Sequence, residues 1–256
     1  MIAALAFLAG AVFGGAGAWI YARRRLQRVG RLFSFALHEI GTPVTAVNLT
    51  VLNLLSEIFG PLSAELKPWV EMTREQMARL NGLVGEVRDF VHMDIHKDLL
   101  VASEPASASE IIAGALACIT RGMDQAGIEL RSQVPTELPA LRTDAERASR
   151  CLASMLFHAR KFRTLGAVTL GARRHDRGVD ITVGYEGVAM TPDQAAANLD
   201  LYYPATACRG SVLASTGMGL GLLRAVAQRI GGDFDFRVAD KGRSELVLTL
   251  PADGGS

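Results

Sequence analysis

The pattern of apolar and polar positions changes character twice along the chain. Residues 1–22, MIAALAFLAGAVFGGAGAWIYA, carry no charged side chain, and Arg23, Arg24, Arg25, Arg28 and Arg31 follow at once. About 20 apolar residues are what a helix needs to cross a hydrocarbon core of about 30 Å. From there apolar or small residues recur at steps of three and four: Leu26, Val29, Phe33, Ala36 and Ile40, then Val44, Val47, Val51, Leu54 and Ile58. This is the seam of a coiled-coil helix. The step from Ile40 to Val44 adds a four directly after another four, a stutter that locally unwinds a supercoil. Pro43 lies in that interval and removes a backbone donor, which favours a kink. Gly60-Pro61 reads as a turn. A second seam follows at Leu66, Val70, Thr73, Met77, Leu80, Val84, Val87 and Val91. Two such helices predict an antiparallel hairpin (23–100). A hairpin buries two stripes only in part, so a dimeric four-helix bundle completes it.

After a small-residue linker (101–108) the period alternates between helical and strand-like. The pattern predicts a helix over about 108–125 and a strand near 128–132. A second helix starts at an Asp144 N-cap and runs to about Phe162. Strands follow at about 166–174 and 178–184, helical residues at about 191–201 and 219–231, and a hairpin at about 233–250. Helices mixed with antiparallel strands predict an α/β sandwich with one helical layer over 109–256. The expected class is therefore α+β.

Composition narrows the function. A length of 256 residues allows one or two folded units beyond the apolar start. Lys+Arg 27 against Asp+Glu 26 leaves +1, so no nucleic-acid partner is expected. Cys118, Cys151 and Cys208 are odd in number and widely spaced, which argues against a disulfide framework and a structural zinc site. A signal peptide would carry its basic residues before the apolar run. Here they follow it, so the positive-inside rule predicts a single-pass anchor in the inner (cytoplasmic) membrane with the remainder cytoplasmic. Trp19 and Tyr21 sit at the predicted boundary. Gly10 and Gly14 make a GxxxG spacing; close helix approach and ordinary glycine content explain it equally well. With one or two residues ahead of the span, no external sensing domain is expected.

His38 falls two residues before Ile40 and two after Ala36, the outermost position of the helical wheel. It is predicted to face solvent, with Glu39 beside it and Thr42 one turn later. An exposed imidazole next to a carboxylate can act as a nucleophile toward phosphorus.

The run Phe35-Ala36-Leu37-His38-Glu39-Ile40-Gly41-Thr42-Pro43-Val44-Thr45 resembles the H-box of two-component sensor histidine kinases, H-E-[LIM]-[RK]-T-P-L, with Gly41 in place of the usual basic residue. The resemblance implies that His38 accepts and passes on a phosphoryl group, that Glu39 is its acid–base partner, and that Glu39 and Thr42 position water to dephosphorylate a response regulator receiver domain. Residues 109–251 resemble the ATP-binding domain of the same family, which implies ATP and Mg²⁺ as cofactors.

The nucleotide motifs are unequal. Gly217-Met218-Gly219-Leu220-Gly221-Leu222 resembles the G2 box, whose glycines let backbone N–H groups approach phosphate at a helix start. Residues 154–162, SMLFHARKF, resemble the N-box N-L-L-x-N-A-x-K-[YF] and keep Lys161 as a phosphate contact. Ser154 and His158 replace its two asparagines, the second of which is the family's Mg²⁺ ligand. Imidazole suits Mg²⁺ poorly. Residues 185–189, YEGVA, occupy the place of the G1 box D-x-G-x-G; Gly187 survives, and Tyr185 replaces the aspartate that binds the adenine amino group. Glu186 would point to the opposite side of its strand. ATP binding is expected to be weak or absent. Two functions remain open: phosphotransfer or phosphatase chemistry through His38, or a non-catalytic dimeric pseudokinase scaffold that binds a receiver domain or partner kinase.

Overall fold

A computed structural model describes residues 2–96, 100–175, 177–199, 219–239 and 242–254; the side chains of residues 2–20 lie outside that description. Helix α1 spans Ile2–Leu55 and continues through Pro43. Residues 2–22 of the anchor predicted over 1–22 are helical backbone, and of their side chains only Tyr21 is described, exposed. Among the described residues no helix is long and apolar enough to cross a membrane. Helix α2, Lys67–Phe90, has a proline in its first turn, where the missing donor costs nothing. Between them the chain reverses with Glu57 and Gly60 at positive φ (58° and 104°).

Helix α1 turns Gly30, Val44 and Val51 inward, with Leu37, Gly41, Asn48 and Leu55 half-buried between them. The stripe shares Val44 and Val51 with the predicted seam, while Gly30, Leu37, Gly41, Asn48 and Leu55 each lie one residue beyond a seam position. Of that seam, Val29, Phe33, Ala36, Ile40 and Val47 are exposed. The helix carries two adjacent apolar stripes, and the hairpin consumes one of them.

A π-helical turn, Val91–His96, ends the hairpin, and Met93 within it is buried in the core of the next domain. The predicted linker is partly ordered as a strand. Strand β1, Glu104–Ala106, pairs antiparallel with β3, Leu141–Thr143. Three residues are too short for alternation to show, and Pro105 is tolerated because this two-stranded ribbon is all edge.

Helix α3, Ala108–Gln125, begins at the Ser107 N-cap. Strand β2 covers Leu130–Gln133. Helix α4, Ala145–Phe162, begins at the predicted Asp144 cap, whose carboxylate accepts from the Arg147 amide at 3.0 Å. Strands β4, Leu165–His175, and β5, Gly178–Glu186, form a hairpin. Short helix α5, Pro192–Ala197, is closed by a capping box from Thr191 and Gln194. Helix α6, Gly219–Arg229, then leads into strands β6, Asp233–Val238, and β7, Arg243–Pro251.

The five-stranded sheet has the order β2-β4-β5-β7-β6, with β2 parallel to β4 and the other pairs antiparallel. Helices α3, α4 and α6 cover one face. The core between the layers is apolar: Ile111 and Ile119 on α3, Leu152 and Met155 on α4, Leu222 on α6, and Val168, Ile181, Phe234 and Leu248 on the sheet. This is the α/β sandwich with one helical layer that the pattern predicts.

Candidate functional site

His38 is exposed on α1 and faces a cleft of about 1630 Å³ between the hairpin and the helical layer. Gly41 and Thr42 line the same side, and His158, Lys161 and Gly219 line the opposite one. The Thr42 hydroxyl donates to the His38 carbonyl at 3.3 Å, and the Thr45 hydroxyl to the Gly41 carbonyl at 2.9 Å. Such back-bonds, on either side of Pro43, compete with the regular helical ladder at this turn. Glu39 is exposed beside His38. A Cβ at Gly41 would meet nothing within 4 Å, so crowding does not explain the absent basic side chain.

Ion pairs hold the second domain against the hairpin. Asp89, 3% exposed on α2, accepts from Arg150 at 2.9 Å and from Arg147 at 3.5 Å, both on α4. Glu75 pairs with Arg160, and Glu71 with Arg121 of α3 at 3.2 Å. Two glycines make room for these contacts. A Cβ at Gly85 would run into the Arg150 guanidinium, and one at Gly122 into both Arg160 and Glu75. The sequence reading did not find this clamp. Its signal was present, since Glu71, Glu75 and Asp89 lie at helical spacing on α2, yet charge on a helix is most often a solvated face.

The predicted nucleotide residues are brought together only in part. Gly217 lies outside the described residues. Gly219 opens α6 at φ +81°, and Gly221 is buried in its first turn. Lys161 is exposed, its ammonium 5.3 Å from the Phe162 ring centroid. Gly187 accepts no side chain: a Cβ would stand 2.8 Å from the Tyr185 ring and 2.9 Å from the Phe162 carbonyl oxygen.

His158 is 4% exposed, and its Nε2 lies 3.0 Å from the Tyr185 hydroxyl. Burial, followed by the positive charge of Lys161, pulls its pKa down to about 3, so the ring is neutral. Tyr185 is 3% exposed, and burial pushes its phenol up to about 12 against a smaller pull from Ser244. Alternation along β5 aims Val179, Ile181, Val183 and Tyr185 at the helical layer and leaves Glu186 exposed on the other side. No group of three His, Cys, Asp or Glu suited to a metal exists among the described residues. At these two positions a buried, neutral aromatic pair stands where the resemblance implies a carboxylate for the base and an amide oxygen for Mg²⁺, and an imidazole and a phenol are poor matches for those roles.

No protein-family model matches the chain. The histidine protein kinase DivJ of Caulobacter vibrioides is 27% identical over 197 residues, covering 77% of this chain and 33% of its own length. The sensor histidine kinase ZraS of Escherichia coli K12 is 22% identical over 233 residues, 90% of this chain and 47% of its own. The chain thus spans between a third and about half of the length of these curated relatives. Full-length ShkA, solved in complex with AMPPNP, superposes with a TM-score of 0.57 at 21% identity, over 88% of this chain and 47% of that one. The sequence relatives and the shared fold agree, and the chain is a homologue of the two-component sensor histidine kinases.

Proposed function

We propose that this protein is a membrane-anchored, dimeric two-component signalling protein that handles phosphoryl groups through His38 toward a response regulator receiver domain, with weakened ATP binding of its own. The observation that carries the reading is the exposed His38 imidazole at the mouth of the interdomain cleft, with Thr42 one turn below it. A ring nitrogen attacks the phosphorus of an acyl phosphate on the receiver; the N–P bond forms as the O–P bond breaks, and the receiver's carboxylate leaves. Glu39 stands beside the ring to take the imidazole proton. In the reverse role, Glu39 and Thr42 orient water toward the same phosphorus.

A receiver domain phosphorylated chemically and mixed with the full chain tests this directly. Label is expected on the parent protein and not on His38→Ala, and Thr42→Ala is expected to slow release of inorganic phosphate by about tenfold or more. Equal signalling and equal dephosphorylation by His38→Ala would leave the second reading, a non-catalytic scaffold that sequesters a receiver or a partner kinase. The aromatic pair at His158 and Tyr185 favours that alternative. The Arg-flanked apolar run at 1–22 supports the anchor, and recovery of the protein in a membrane fraction checks it.

A further inference from the structure

The two side chains that stand where the resemblance places a metal ligand and a base acceptor are bonded to each other. His158 comes from α4, three residues after the buried Met155 and four before the buried Phe162, and Tyr185 comes from the inward side of β5. Their contact is 3.0 Å, between Nε2 and the phenolic oxygen. Around it the rings pack on one another. The imidazole centroid lies 4.5 Å from Phe162, 5.8 Å from Tyr185 and 5.8 Å from Phe236, the last two edge-on.

We infer that His158 and Tyr185 form a built-in plug, a hydrogen-bonded aromatic pair that fills the base pocket of the domain and excludes adenine nucleotides. The inference rests on the proposed weakening of ATP binding and assigns its cause to two named side chains.

Three further observations support it. Gly187, the surviving motif glycine, has its Cβ space taken by the Tyr185 ring and the Phe162 carbonyl, so it serves the plug itself. The pair is neutral, with the imidazole low and the phenol high in pKa, and so it asks for no counter-ion in a dry site. His158 Nδ1 has no hydrogen-bond partner among the described residues. The Tyr185 hydroxyl is then the bond that orients the ring. Changing one member alone does not open the pocket, because the carboxylate brought in by Tyr185→Asp would pair with a protonated His158.

The test is calorimetric titration of the full chain, in detergent, with AMPPNP and Mg²⁺. The parent is expected to show no saturation up to about 1 mM, and the double variant His158→Asn/Tyr185→Asp to bind at least about tenfold more tightly. Micromolar binding by the parent overturns both the plug and the weakened site beneath it. A double variant with native circular dichroism that is as inert as an inert parent overturns the plug alone. A readout on the parent protein covers the case in which the double variant fails to fold. In ¹⁵N spectra the His158 ring of the parent is expected to stay neutral from about pH 7 to about pH 4.5, because it is buried among aromatic rings beside Lys161. Titration of His158 in that window in the parent overturns the plug.

Discussion

At the scale of single residues, the neutral buried imidazole makes stability depend on acid. His158 has an ordinary value of 6.5 and a folded value of about 3. Below about pH 6.5 the unfolded chain takes up a proton that the native chain refuses, so stability is full above that pH and falls steadily toward pH 3. At about 1.4 kcal/mol per pH unit for one proton, the loss between pH 7 and pH 4 reaches about 3 kcal/mol. Urea unfolding at several pH values checks this, and His158→Asn is expected to flatten the curve. Asp144 acts in the same sense at lower pH. Burial pushes its carboxyl up, but the amide and guanidinium of Arg147 outweigh that and hold it below its ordinary value. Gly41 works in the opposite direction. It lies in mid-helix with open space at its Cβ, so Gly41→Ala is expected to raise stability by about 0.5–1 kcal/mol, read as a higher melting temperature. The exposed placement of His38, with Thr42 one turn on along the same helix face, was legible because residue type and spacing are local facts. The bond between His158 and Tyr185 was not, since it joins residues 27 positions apart through the fold.

At the scale of elements, the clamp between α2 and the helical layer sets how the two domains meet. Asp89 is nearly sealed from water and is shared by two arginines. Its removal leaves Arg147 with Asp144 but takes the carboxylate partner of Arg150. Breaking a fully buried pair costs about 3–5 kcal/mol, and the loss here is smaller because the Arg150 side chain is 29% exposed to water. Asp89→Ala is therefore expected to free the second domain from the hairpin, seen as a larger radius in X-ray scattering and faster proteolysis near residue 100. Gly122→Ala, which pushes on Arg160 and Glu75, is expected to give a smaller shift in the same direction. The exposed pair of Glu71 and Arg121 contributes at most about 1 kcal/mol and is screened by salt. The long elements were readable from period and caps: α3 and α4 fall on the predicted residues, and Asp144 caps as its type requires. Strand β1 was missed because its three residues carry no period, and its partner lies 37 residues on.

At the scale of the whole molecule, the stripe of α1 that the hairpin does not consume is the surface expected to pair two copies. Phe33 is 51% exposed, Ile40 47% and Val47 46%, spaced by seven residues along one face. Helices with such a stripe pair in water. Sedimentation of the full chain in detergent is expected to give a dimer, and Phe33→Glu with Ile40→Glu and Val47→Glu a monomer that still folds its sandwich. The seam itself was legible in the sequence; which of two neighbouring stripes faces its own hairpin was not, because both satisfy the same period.

The short ribbon of β1 and β3 has a consequence for reach. Pairing from Glu104 onward tethers the sandwich there, which leaves seven residues between His96 and Glu104. Fully stretched, they extend roughly 25 Å. That reach is shorter than α2 itself, so a sandwich released from the hairpin keeps Glu104 within roughly 25 Å of the end of the stalk.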